Sequence, residues 1–133
     1  MTDDPGDEPL AAGTPRPALT AISVHHAGST VIATALMSLH GTVLRGRAQA
    51  DDRSSAVTLA TLDALSPLLP EGTAIDHAQV LTIADRQVAV TLVAFPGGQA
   101  HPEVLVGSAL VKGDVEDALA RSVLSALNRR LEI

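Results

Sequence analysis

The chain has 133 residues, the size of one domain with room for a real core, and a net charge of −6. Hydrophobic residues make up 46% and charged residues 18%, with no cysteine and a single aromatic residue, Phe95. This composition excludes a wholly disordered chain, disulfides, thiol chemistry and Cys-ligated zinc, and the acidic balance argues against nucleic acid, which needs a basic surface for counterion release.

With almost no aromatics, the core has to be built from Ala, Val, Leu and Ile. No apolar run approaches the ~20 residues of a membrane span. The start, MTDDPGDEP, is acidic and broken by proline, unlike a secretory signal or transit peptide, so a cytoplasmic protein is expected.

Residues 1–18 are rich in Pro, Gly and Asp and lack any period, which predicts a disordered tail ahead of a single domain over 19–133. Leu19–His26 reads as a strand with Ile22 and Val24 on one face, and Ala27-Gly28-Ser29 as a turn. Thr30–Leu39 is a second strand, His40-Gly41 a hairpin connection, and Thr42–Ala50 a third strand. Asp51-Asp52 announces a helix that runs to about Leu69 and is stopped by Pro70. Arg45, Arg47 and Arg53 form a local basic cluster. Without interleaved aromatics for base stacking it reads as a solvated strand end.

The second half repeats the order. Ile75–Ala84 is a strand, Asp85-Arg86 a tight turn, and Gln87–Phe95 the most β-prone run in the chain. Val88, Val90 and Leu92 alternate with Ala89, Thr91, Val93 and Phe95, so both faces of that strand are apolar and one needs cover beyond the helices. Pro96–Gln99 is a loop, Glu103–Val111 a strand, and Lys112-Gly113 breaks the run. Asp114 then caps a helix whose stripe of Val115, Ala118, Leu119, Ser122, Val123, Ala126, Leu127 and Leu131 has helical period. Asp52, Ala56, Ala64, Leu65 and Leu69 each fall 62 residues before Asp114, Ala118, Ala126, Leu127 and Leu131. The fold class expected is therefore α+β: two βββα units, 19–70 and 75–131, related by a pseudo-twofold, with antiparallel sheets packed with two helices.

Two βββα units, the second carrying Gly107 on its last strand and then Asp114, Ala118, Ala126, Leu127 and Asn128, resemble the C-terminal regulatory domain of 2-isopropylmalate synthase. The first unit matches more weakly, through Gly46, Ala48 and Ala56, and has Asp51-Asp52-Arg53-Ser54-Ser55 where that family has a glycine-rich loop. The resemblance implies a stand-alone, non-catalytic sensor-like domain. It would be a homodimer that binds a small metabolite such as an amino acid near the loops leading into the helices, and that acts on a separate partner enzyme.

A physical reading of the same loops points to Gly46, Ala48, Asp52, Gly107, Ala109 and Asp114 as candidate ligand-binding positions. Helix N-termini expose unpaired N–H groups that attract carboxylates or phosphates, unless the aspartates satisfy those groups themselves. Glycines at 46 and 107 permit close backbone approach, either to a ligand or to a helix. On the ligand reading, Gly107→Val abolishes binding and leaves the apo fold intact. His25 and His26 point to opposite faces of a strand, and His40, His77 and His101 are scattered, so no metal spacing and no cofactor is expected. There is no nucleophile elbow, phosphate-binding loop or dinucleotide fingerprint, and no enzyme is expected. The alternative to a sensor is a structural or assembly module that docks a protein partner through an apolar sheet face and binds no ligand.

Overall fold

The computed structural model describes residues 16–96 and 103–131. Strands β1 (Ala18–Ala27), β2 (Thr30–Leu39) and β3 (Thr42–Ala50) form an antiparallel sheet in the order β1-β2-β3, followed by helix α1 (Arg53–Leu65) and a short 3-10 turn, Ser66–Leu68. Strands β4 (Ala74–Ile83), β5 (Arg86–Phe95) and β6 (Glu103–Leu110) repeat the arrangement and lead into helix α2 (Val115–Leu127). The architecture is α+β, βββα twice. Each helix covers the inner face of its own sheet, lies beside the other helix, and reaches the outermost strand of the other sheet, α1 against β4 and α2 against β1.

The alternating pattern in the middle strands decides which face turns inward. On β2, Val31, Ala33, Ala35 and Met37 are buried, while Ile32, Thr34 and Leu36 between them are half-buried on the outer face. On β5 the buried set is Ala89, Thr91 and Val93. The helices add Ala56, Val57, Ala60, Ala64 and Leu65 from α1, and Ala118, Leu119, Val123, Ala126 and Leu127 from α2. Small side chains dominate this core, as a sequence without Trp or Tyr requires. Two hydroxyls inside it satisfy each other: Thr91 Oγ1 lies 2.6 Å from Ser122 Oγ, which also donates to the Leu119 carbonyl at 2.7 Å.

The two units repeat in register with constant offsets. A bulge at Thr20, between Leu19 and Ala21, recurs at Asp76, between Ile75 and His77. Ala35 pairs with Gly46 on β3, and Thr91 pairs with Gly107 on β6. The first two strands of each unit are therefore 56 residues apart, the third strands 61 and the helix caps 62, because the β5–β6 connection and the β6–α2 junction are longer than their counterparts.

Several boundaries differ from the sequence reading. Arg16 and Pro17, assigned above to the tail, belong to the folded part: Pro17 is buried and Arg16 donates to the Asn128 carbonyl. The rest of the tail, residues 1–15, lies outside the described residues. Helix α1 ends at Leu65, not near Leu69, because Pro67 carries no N–H to continue the α-helical ladder and the chain tightens into a 3-10 turn. Helix α2 ends at Leu127, so Arg129 and Arg130 lie beyond it. Arg130 instead pairs with Glu103 at 2.5 Å and lies over the Phe95 ring, 5.9 Å from its centre.

The β4–β5 turn is Ala84-Asp85, one residue earlier than expected, with Ile83 opposite Arg86. Both turn residues have positive φ, 50° and 65°, as a type I′ hairpin needs. The corresponding first turn position in the other unit is Gly28, with φ of 65°. An L-residue in the left-handed region costs ~1–2 kcal/mol, partly offset by the greater chain entropy glycine loses on folding. Ala84→Gly should therefore raise stability by up to about 1 kcal/mol, seen as a higher urea midpoint at unchanged slope.

Candidate functional site

The six candidate ligand positions fall into two sets, one per unit, and the structure gives most of them packing roles. Gly46 and Ala48 on β3, and Gly107 and Ala109 on β6, lie on the strand faces turned toward the helices. A Cβ built on Gly46 would stand 2.1 Å from the Ala60 carbonyl oxygen and 2.3 Å from the Ala64 nitrogen. One built on Gly107 would stand 2.0 Å from the Ser122 carbonyl oxygen and 2.3 Å from the Ala126 nitrogen. The close approach these glycines allow is to the helix backbone. The expectation that Gly107→Val leaves the fold intact is thereby corrected, since a branched side chain there collides with fixed main chain.

The helix N-termini do come near each other. Arg53, the first residue of α1, pairs with Glu116 in the first turn of α2 at 3.2 Å. Asp52 caps α1 fully, accepting from the Ser55 N–H and the Ser55 hydroxyl, each at 2.9 Å. That carboxylate fills the position an anion would take. Asp114 sits at the corresponding position of α2 but makes no side-chain cap, and Glu116 and Asp117 set negative charge in that first turn.

No cavity bridges the two junctions among those the described residues form. One of about 270 Å3 lies beside Asp52 and Ser55, closed by Ile75, Asp76 and His77 of β4. A larger groove of about 720 Å3 runs between β6 and α2, lined by Ser108, Ala109, Lys112, Arg121, Ser125 and Asn128. Asn128 Oδ1 is buried there without a hydrogen-bond partner.

The histidines stay apart. His25 and His26 are exposed on opposite faces of β1, His40 occupies a turn with φ of 54°, and His77 Nε2 lies 2.6 Å from Gln79 Oε1. His101 lies outside the described residues. Among the described residues no group of three or more His, Asp or Glu is placed to hold a metal ion, and no helix is long and apolar enough to cross a membrane.

The feature that stands out chemically is the outer face of the second sheet. Register places Ile83, Leu81, Gln79 and His77 of β4, Val88, Val90 and Leu92 of β5, and Val104, Val106, Ser108 and Leu110 of β6 on this face. Four of the large hydrophobic side chains most exposed among the described residues are here: Ile83 at 54%, Val104 at 54%, Val106 at 63% and Leu110 at 45%. The outer face of the first sheet is more polar, with His25, Thr34, Arg45, Arg47 and Gln49 at comparable places, although Ile32, Leu36 and the 65% exposed Val43 also lie on it. Alternation along β5 alone exposes the need for cover, but the contribution of β6 becomes visible only once its register is known.

Fold and surface thus define a class, a small α+β domain of two βββα repeats with one apolar outer sheet face. No protein-family model matches the chain, and no similar protein was found among curated ones.

Three substitutions separate packing from capping. Gly107→Ala should cost about 1–3 kcal/mol or more through overpacking against the Ser122–Ala126 backbone, read from chemical denaturation. Asp52→Ala should cost about 1 kcal/mol by removing a made cap, whereas Asp114→Ala should change stability by only a few tenths, because no cap hydrogen bond is lost.

Proposed function

We propose that this chain is a non-catalytic docking module that works through the outer face of its second sheet. The carrying observation is the concentration there of Ile83, Val104, Val106 and Leu110, exposed, around the half-buried Leu81, Val88, Val90 and Leu92. Isolated exposed hydrophobics are ordinary on protein surfaces, but a contiguous apolar sheet face costs solubility and marks a contact surface.

A second reading, a regulatory domain that binds a small metabolite and acts on a partner enzyme, draws on the resemblance and on the Arg53–Glu116 pair that holds the two loop-to-helix junctions together. A ligand bound only by the folded state at a hundredfold over its dissociation constant adds about 2.7 kcal/mol, a rise in melting temperature on the order of 10 °C. A screen of amino acids and acyl metabolites by thermal shift supports this reading on such a rise and removes it if none appears.

The docking reading is tested with an apolar fluorescent dye. Wild type should bind it, and Ile83→Lys with Val90→Lys should lose the binding while keeping the far-UV spectrum. Equal dye fluorescence from both proteins refutes the docking face.

A further inference from the structure

Each three-stranded sheet has two edge strands, and an unprotected edge is a template for adding another strand. Three of the four edges here carry a guard. β1 and β4 are interrupted by bulges at Thr20 and Asp76, which disrupt regular pairing. β3 bears Arg45 and Arg47, and its outward-facing Arg47 N–H is taken by the Asp63 carboxylate of α1 at 3.0 Å.

β6 has none of these. Val104–Leu110 contains no charged residue, no proline and no bulge. Its inward amides pair with β5, ending at Val111 N–H to the Gln87 carbonyl, so Val104, Val106, Ser108 and Leu110 present theirs to the free edge. The counterpart of Arg47 is Ser108, and the counterpart of Asp63 is Ser125, whose short hydroxyl makes no hydrogen bond to Ser108. Both instead line the open groove of about 720 Å3 between β6 and α2. One repeat has a plug at this position and the other has an open groove.

We infer that β6 is a strand-addition site whose occupant is β6 of a second copy, paired antiparallel about a twofold axis beside Gly107. This rests on the docking reading of the second sheet. Antiparallel pairing in that register sets Val104 opposite the partner's Leu110 and Val106 opposite the partner's Ser108, with every free N–H and carbonyl of the four residues engaged. The strand suits its own copy: its one charged residue, Glu103, pairs with Arg130 of the same chain, and Val104–Leu110 is uncharged, so no like charges of the strand meet beside the axis of a chain whose net charge is −6. An edge about 27 Å long that buries ~10 Å of side chain on each face removes roughly 550 Å2 per copy, about 1,100 Å2 in all, just above the ~1,000 Å2 a biological interface should clear. The product is a continuous six-stranded sheet whose outer face doubles the apolar docking surface.

Light scattering and amide exchange on the full chain test this. Wild type should have twice the chain mass at high concentration, with slowed exchange at Val104, Val106, Ser108 and Leu110 that is lost on dilution. Ser108→Pro removes one outward N–H without touching the β5 ladder, and Ser125→Asp transplants the plug of the first repeat. Both should be monomers at every concentration and melt where dilute wild type melts, and Ile83→Lys with Val90→Lys should remain dimeric. A monomeric wild type overturns the inference, as does a dimer that survives Ser125→Asp, or concentration-independent protection of β6, which would mean that another part of the chain covers it. If wild type is monomeric yet binds the apolar dye, the docking reading stands and only the second copy falls.

Discussion

Without a Cβ at Gly46 or Gly107, the third strand of each unit lies against a helix backbone, and that closeness dictates much of the remaining composition. A helix held so near its sheet leaves room for alanine and little else along the contact, hence Ala56, Ala60 and Ala64 on α1 and Ala118 and Ala126 on α2. It also lets each helix sit low enough to meet the other helix and the outermost strand of the opposite sheet. α1 accordingly buries or half-buries side chains around most of its circumference, with Arg53, Leu59 and Asp63 left toward solvent. Aromatic side chains would prop these layers apart, and Phe95, at the end of β5, stays half-buried under Arg130.

The repeat was readable because its marks are local: apolar alternation in the strands, an aspartate before each helix, alanine and leucine at helical spacing. Thr30–Leu39 and Thr42–Ala50 match their strands residue for residue. Where the reading slipped, the deciding contact was not local. Ala84 looked like strand because alanine seldom takes positive φ, and only the pairing of Ile83 with Arg86 moves the turn onto it. Gly46 and Gly107 were open between a ligand and a helix, since a glycine announces that something comes close without naming what. The single offset of 62 residues held for the helices but concealed 56 for the first two strands, because the added residues sit in connections that carry no periodic signal. The groove beside β6 left no trace in the sequence, since its existence depends on which amides face outward.

The two repeats have kept their packing and diverged on their surfaces. At the centre, Ala35 and Ala60 of the first unit are replaced in the second by Thr91 and Ser122, whose hydroxyls bond to each other and so enter the core without leaving a donor unmet. Such a paired exchange is close to neutral, which is how a duplicated core drifts. The outer faces differ mostly in one direction, with Ala21 against His77 as an exception. Thr34, Arg45, Arg47 and Gln49 of the first unit correspond to Val90, Val106, Ser108 and Leu110 of the second.

That direction matters for function more than either unit does alone. Random drift on a solvated sheet face favours polar and charged residues, because exposed β-strands of Val and Leu invite aggregation. A molecule that guards three edges by bulges, arginines and a carboxylate, yet leaves the fourth uncharged beside an apolar face, is asymmetric where its ancestry is symmetric. The first unit, with Asp63 closed over Arg47, has the surface of a sheet that ends in water. The second presents the uncharged run Val104–Leu110 at its edge, with Val106 and Leu110 exposed beside it. The inner faces and the two helices hold the repeats together, and on the docking proposal the outer surface of β4, β5 and β6 is what meets another chain.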